Sequence, residues 1–247
     1  MILHMREIIY IEECVSTNAK LSSLRRLENA AKELLICADF QTSGKGQGGE
    51  FWESEKAKNL TFSYNLVDID LSAYNQFYIS IIIALTLSEI IEGEIADKEV
   101  KIKWPNDIYI GSKKVAGILI ENVVIGDKIK ESYVGIGLNV NQKKFDSDAP
   151  NPISIIHFTE KEIDIKELLS AYLLKFDYYL GMLNNGELER LKAMYLDKLY
   201  RINEIEKYQI NNEIIDGIIK GIDEYGFLRM SIDGQERSFD IKEIVYL

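Results

Sequence analysis

Apolar and polar positions lay out the elements of the chain before any motif is considered. Glu7-Ile-Ile-Tyr-Ile-Glu12 reads as a first strand, and Ser16-Thr17-Asn18, three strong helix-capping residues, precede a helix through roughly Asn29. Leu34 to Phe40 is apolar enough for a buried strand, while Leu60-Thr-Phe-Ser-Tyr-Asn-Leu66 alternates like a half-buried one. A helix with apolar residues on more than one face is predicted over about Tyr74 to Ile91. Long strands follow at Val115–Val124 and Ser132–Val140. Asp164-Ile-Lys-Glu167 resembles a capping box opening a helix to about Leu183, and a second helix runs from Glu187 to about Tyr200.

The last fifth changes character. Short strands recur at Lys207–Ile210, Glu213–Ile222, Gly226–Ile232, Glu236–Asp240 and Glu243–Leu247, separated by turns such as Asp233-Gly234. This predicts an α+β fold: a mixed-sheet domain over residues 1–201, then a small β-barrel over residues 202–247.

Composition narrows the class. The chain has 247 residues, 47% of them apolar, which suits one large and one small globular unit and argues against disorder. A formal net charge of −11 argues against a general nucleic-acid surface. The longest apolar run, Tyr78 to Leu87, is too short and interrupted to span a bilayer, so no membrane partner is expected. Met1 to Met5 lead straight into a strand-like run, so no signal peptide is expected, and Cys14 and Cys37 suit a reducing cytoplasm.

Three segments carry candidate chemistry. In Lys103-Trp104-Pro105-Asn106-Asp107 the proline stops a strand. Ile108-Tyr-Ile110 and Lys113-Lys-Val115 then flank Gly111-Ser112, a link suited to a type II′ hairpin. In that register Ile110 faces Lys113, Tyr109 faces Lys114 and Asp107 faces Ala116. Asp107 and Lys114 become diagonal neighbours about 7–8 Å apart. Such a gap could hold a phosphate oxygen between lysine and a carboxylate-bound metal, although for an arbitrary hairpin the favoured reading is a surface hairpin with solvated charges. The second segment, Gln41 to Trp52, has four glycines (Gly44, Gly46, Gly48, Gly49) and reads as a mobile loop whose N–H groups can approach a phosphate. The third, Gly135-Ile-Gly-Leu-Asn-Val-Asn141, places its glycines, Asn139 and Asn141 on one strand face, against which a flat ligand can lie.

Lys103-Trp-Pro-Asn-Asp107 followed by Lys114-Val-Ala-Gly-Ile-Leu-Ile-Glu121 resembles the signature of the biotin protein ligases, and the likeness runs over roughly residues 8 to 247. The resemblance implies a class II synthetase-like catalytic domain with a C-terminal SH3-like barrel. It implies activation of biotin by ATP to biotinyl-5′-adenylate with Mg²⁺, then transfer to a lysine of a biotin carboxyl carrier domain. Many members carry an N-terminal helix-turn-helix domain; with the first strand inside the first ten residues, the likeness is to a form without it.

The resemblance also assigns residues. Lys114 bridges the biotin carboxylate and the α-phosphate, and Lys45 shares the catalytic and biotin-binding work. Ser16, Thr17, Asn18, Gln41, Gly44, Gly46, Gln47 and Gly117 surround biotin. Gln47, Trp52, Lys103, Asn106 and Asn139 bind ATP, Asn139 reading adenine. Asp107, with Asn106, holds the metal. The usual loop pattern, Gly-Arg-Gly-Arg-Arg-Gly-Arg, appears here as Gly44-Lys-Gly-Gln-Gly-Gly-Glu50, so Gln47 keeps only hydrogen bonding and Glu50 reverses a charge. Rival readings are a lipoate or octanoate ligase of the sister family and a non-catalytic binder of biotin or its adenylate. A homodimer is left open.

Overall fold

The computed structural model describes residues 7–27, 33–67, 69–95, 98–147 and 149–247. The predicted end of the first helix near Asn29, and Met1 to Met5, lie outside them. A parallel β–α–β unit comes first: β1 (Glu7–Cys14), α1 (Thr17–Leu27) and β2 (Leu34–Gln41). A two-stranded ribbon, β3 (Gly44–Lys45) with β4 (Phe51–Trp52), occupies the glycine-rich segment. Then come β5 (Leu60–Val67), α2 (Phe77–Glu94), β6 (Val100–Lys103), β7 (Asp107–Ile110), β8 (Lys113–Ile125) and β9 (Lys128–Leu138). The large sheet has seven strands in the order β1-β2-β5-β9-β8-β7-β6, antiparallel except for β1 with β2.

Two faces of this sheet do different work. One is covered by α2, α3 (Ile165–Asn184) and α4 (Leu188–Asp197). On that side Phe62 and Tyr64 of β5 meet Tyr172 and Phe176 of α3 at ring-centroid distances of 5.0 and 5.3 Å. The other face carries α1, whose Leu21 packs on Leu34 and Ile36. The alternation along β5 therefore does not mean half-burial. Thr61, Ser63 and Asn65 are buried beneath α1 as fully as their apolar neighbours are beneath α3. Their burial is tolerated because each is hydrogen-bonded: Thr61 Oγ1 donates to the Ala38 carbonyl, Ser63 Oγ to Thr17 Oγ1, and Asn65 Oδ1 accepts from the Leu34 amide.

Helix α2 is apolar all round because it is enclosed, from Ile79 through Ile91. Its run Ile81-Ile-Ile83 has strand propensity, but burial of each isoleucine stabilises by about 1.5–3 kcal/mol and outweighs it. With the preceding turn it forms a stretch, Ala73–Glu94, long and apolar enough to cross a membrane; 61% of its apolar window is buried inside the protein. The run judged too short from sequence is thus part of a longer helix, used here as core. Asp164 caps α3, its carboxylate accepting from the Lys166 and Glu167 amides at 2.7 and 3.1 Å.

The C-terminal segment forms an antiparallel five-stranded sheet: β10 (Ile205–Ile210), β11 (Glu213–Ile222), β12 (Leu228–Ile232), β13 (Gln235–Phe239) and β14 (Ile244–Tyr246), ordered β13-β12-β11-β10-β14. This is the segment predicted as a small β-barrel; no ladder joins β13 to β14 among the described residues, so the sheet is not closed. Laid flat, five strands would hold those edges about 19 Å apart. The turn at 240–243, closed by Glu243 N–H to the Asp240 carbonyl at 3.2 Å, is too tight to span that distance. The sheet therefore curls towards closure without completing it. Its Tyr208, Ile219, Leu228 and Met230 join the same continuous core as α2 and the large sheet.

Candidate active site

The β7–β8 hairpin forms as the sequence predicts near its turn. Ile110 pairs with Lys113, Tyr109 with Lys114, and Gly111 takes the positive φ of +58°. Further down, the predicted pair of Asp107 with Ala116 is wrong. A bulge intervenes between Ile108 and Tyr109, so Ile108 pairs with Ala116 and Asp107 with Gly117. The physical reason lies at Asn106, which clamps the far end of the ladder. Its side-chain amide donates to the Ile118 carbonyl at 2.7 Å, and its own carbonyl accepts the Ile118 amide at 2.9 Å.

The slip has a chemical consequence. In an unbroken register Lys114 and Ala116 would share a face. With Val115 as the extra residue, Lys114, Gly117 and Asp107 share it instead. Gly117 makes room, since a Cβ there would stand 3.3 Å from Lys114 Cε. The expected gap is closed: Lys114 Nζ lies 2.7 Å from Asp107 Oδ1. Burial pushes the Asp107 carboxyl above the usual aspartate value, against the pull of the Lys114 ammonium beside it.

Lys103, at the end of β6, points to the same end of the site. Its ammonium donates to Tyr109 Oη at 3.0 Å and lies over the Tyr109 and Tyr246 rings, 4.9 and 4.7 Å from their centroids. Burial lowers its pKa below that of a free lysine, with Asp107 opposing the shift. Among the described residues no three His, Cys, Asp or Glu side chains gather as a metal cage. The donor set suits instead a cation that takes one carboxylate and completes its sphere with phosphate oxygens and water, as Mg²⁺ does. Asp107 offers a carboxylate of that kind; Asn106 has already committed its amide nitrogen to the bulge.

At the other end, Ser16, Thr17, Asn18 and Gln41 are all buried. Gln41 ends β2 and turns its carboxamide oxygen to the start of α1. There it accepts the Thr17 amide at 2.8 Å and the Thr17 hydroxyl at 3.1 Å. A neutral side chain thus satisfies the first N–H of the helix and has its own orientation fixed in return. Its amide nitrogen lies beside Gly44, where a Cβ would sit 3.3 Å away. Asn18 donates to Glu121 at 3.1 Å, while its buried Oδ1 accepts nothing among the described residues. That oxygen rests on Gly135, 2.5 Å from where a Cβ would be.

Between the two ends runs the bare glycine face, and it is covered by Trp52. A Cβ on Gly137 would stand 2.2 Å from Trp52 Cε2, and one on Gly117 3.1 Å from Cζ3. Trp52 Nε1 is buried and donates to nothing among the described residues. Lys114 Nζ is 5.7 Å from the indole centroid. The loop expected to lack regular structure is thus ordered as the β3–β4 ribbon, with Lys45 exposed and Gln47 in a short 3₁₀ turn with Gly48 and Gly49. Gly46 belongs to the ribbon's turn: its N–H donates to the Glu50 carbonyl at 2.7 Å, and a Cβ there would stand 3.3 Å from Glu50 Cβ. Asn139 lies just past β9; its amide donates to the Ile153 carbonyl at 3.1 Å, leaving a buried Oδ1 without a donor among the described residues. Asn141 is spent on structure, exchanging two bonds with Ile163.

The structure therefore brings Thr17, Asn18, Gln41, Gly44, Trp52, Gly117, Lys114, Asp107 and Lys103 together along the sheet from β2 through β5, β9, β8 and β7 to β6. Sequence reasoning missed Ser63 and Glu121, which orient Thr17 and Asn18, although the polar alternation along β5 signalled the first. It also missed Tyr246 beside Lys103 and Lys242, whose Nζ would be 2.6 Å from a Cβ on Gly48. No local pattern ties either to the hairpin.

With this geometry in view, comparison with known proteins is informative. The model of the Biotin/lipoate A/B protein ligase family matches residues 10–139, more than half of the chain. The chain belongs to this family. Among curated members, the bifunctional ligase/repressor BirA of Bacillus subtilis is 30% identical over 230 residues, covering 90% of this chain and 69% of the relative. A biotin–[acetyl-CoA-carboxylase] ligase of Mycobacterium tuberculosis is 24% identical, covering 98% and 90%. Among solved family structures, the biotin protein ligase of Aquifex aeolicus in complex with biotin and ATP superimposes with a TM-score of 0.78 at 27% identity, covering 97% of each chain.

Proposed function

We propose that this protein is a biotin–[carrier protein] ligase: it joins biotin to the α-phosphate of ATP and passes the biotinyl group to a lysine of a biotin carboxyl carrier domain. The observation that carries this reading is the line of residues just described. It has a buried, neutral, hydrogen-bonding end at Thr17, Asn18 and Gln41, and a cationic end at Lys114 and Lys103. A bare glycine surface connects them. The neutral end suits the ureido ring, which needs a few aligned donors and acceptors in an enclosed pocket. Ser16 and the Gln41 amide nitrogen offer donors, and Asn18 Oδ1 is an acceptor without a partner among the described residues.

In the first step a biotin carboxylate oxygen attacks the α-phosphorus, and the bond to pyrophosphate breaks. One anion approaches another, so charge must be in place where it accumulates. Lys114 supplies it, turning from Asp107 to the carboxylate and phosphate oxygens. When bound, Mg²⁺ would draw charge towards the leaving pyrophosphate; Asp107, with the side-chain carbonyl of Asn106, would hold it. Lys103 binds the phosphates, and Asn139 Oδ1 accepts from the adenine amino group. The flat ligand takes the face now filled by Trp52, and the ribbon with Lys45, Gly46 and Gln47 closes over it, excluding water from the mixed anhydride. In the second step the neutral amine of the carrier lysine attacks the acyl carbon, AMP leaves, and the amide nitrogen loses a proton.

Biotin, ATP and a carrier domain are the partners of this reading. We assign the protein to the cytoplasm, where its free Cys14 and Cys37 stay reduced, the burial of Cys37 pushing its thiol up to about 12. The division at residues 1–201 and 202–247 follows the change from the large sheet to the small one. Pyrophosphate release with biotin, lipoate or octanoate as sole acid tests the assignment. Release with biotin alone supports it, and release with lipoate or octanoate alone moves the activity to the sister ligases.

A further inference from the structure

Two ammonium groups reach the phosphate end, and they are held differently. Lys114 is neutralised by Asp107 at 2.7 Å. Lys103 has no carboxylate partner within ion-pairing distance among the described residues; it is held by one phenol oxygen and two ring faces. An aromatic face attracts a cation without cancelling its charge or using up its N–H donors. The lysine has three donors, and one is spent on Tyr109 Oη. A flexible four-carbon stem is thereby fixed while its charge stays available to an anion.

The second ring comes from far along the chain. Tyr246 lies on β14, the last strand of the C-terminal sheet, paired with Tyr208 of β10. Its orientation is enforced by aromatic neighbours: Tyr208 packs edge-on at 5.4 Å and 73°, and Tyr200 lies at 6.4 Å while also leaning on Tyr109 at 5.3 Å. The Tyr246 hydroxyl is buried without a partner among the described residues, so its polar end explains nothing about its presence. What the residue offers the site is its face.

We propose that Tyr246 is a positioning residue for adenylation: with Tyr109 it forms an aromatic seat that holds the un-neutralised Lys103 ammonium ready for the phosphates of ATP. This rests on the reading of that end as the nucleotide end. The C-terminal sheet thus contributes to chemistry through a ring 4.7 Å from the lysine that ends β6. The unpaired cation is the only one of the two available before Lys114 releases Asp107.

The test compares Y246F, Y246L and Y246M in adenylate formation, each checked for a cooperative melt and for biotin affinity by calorimetry. Y246F keeps the face and loses only an unpartnered hydroxyl, so its KM for ATP should match the wild type. Y246L and Y246M should raise KM for ATP by about tenfold, with biotin affinity unchanged; Y246M fills the space flexibly and is read alone if Y246L fails to fold. In a K103M background the same substitutions should add nothing. Loss in Y246F equal to that in Y246L, or an undiminished effect beside K103M, would overturn the proposal. If the wild-type protein forms no biotinyl adenylate, the functional reading itself fails; if it does and Y246M leaves KM for ATP unchanged, only the seat is refuted.

Discussion

Asp107 and Lys114 hold each other in a part-buried ion pair, and under the proposed mechanism each lets go for the reaction to proceed. Lys114→Ala removes the charge placed between carboxylate and α-phosphate. Adenylate formation should fall by about 10²–10³-fold, the loss typical of a preorganised electrostatic group. Biotin affinity by calorimetry should be nearly unchanged; near-normal adenylation would remove Lys114 from its role. The pH profile of kcat/KM for ATP follows from two shifted groups. Asp107 must be ionised to hold a cation, and burial raises its pKa, so activity should fall with decreasing pH before the ordinary aspartate range is reached. Lys103 must be protonated, and burial lowers its pKa, so the alkaline limb should begin below that of a free lysine. Stopped assays across pH with D107N and K103M would show each limb disappear in turn, and identical limbs in the variants would refute the assignment. At this scale the sequence was most legible where chemistry is local: Lys103, Asp107 and Lys114 sit within twelve residues. Tyr246 was illegible because its relation to Lys103 exists only after folding.

A bulge, a ribbon and a bare strand shape the site at the level of elements. The hairpin turn was readable because Gly111-Ser112 dictates its own geometry. The bulge was not, since it arises from Asn106 bonding Ile118 across the ladder, and one extra residue reverses which side chains share a face. The glycines of β9 were read as a face against which a flat ligand lies. Their occupant here is Trp52, brought there by the β3–β4 ribbon that the glycine-rich composition concealed. Gly137→Ala should therefore dislodge the indole, because a Cβ would stand 2.2 Å from its ring. In a Trp104→Phe background, Trp52 emission should shift to the red and become more quenchable by iodide. An unchanged spectrum would place the indole elsewhere.

Across the whole molecule one hydrophobic core runs from the large sheet through α2 to the C-terminal sheet. The change of pattern near residue 202 was visible in sequence, but continuity of the core was not, because each element's alternation reports burial and not the burying partner. The buried Trp104 is a tie between the parts: its Nε1 donates to the Gly226 carbonyl at 2.8 Å, and Gly226 sits against Phe77. Trp104→Phe leaves that carbonyl without its donor and should cost about 1–3 kcal/mol. Thermal melting should drop by several degrees, and an unaltered melt would show the tie to be dispensable.

Transfer to a carrier remains the most direct test of the central claim, since it requires both steps and both ends of the site. A biotin carboxyl carrier domain, already shown competent with an authentic biotin ligase, is incubated with this protein, biotin and Mg-ATP and weighed intact. The account predicts one biotinyl increment on a single lysine, absent without ATP and absent when lipoate replaces biotin. An unmodified carrier, or one modified only by lipoate, would contradict it.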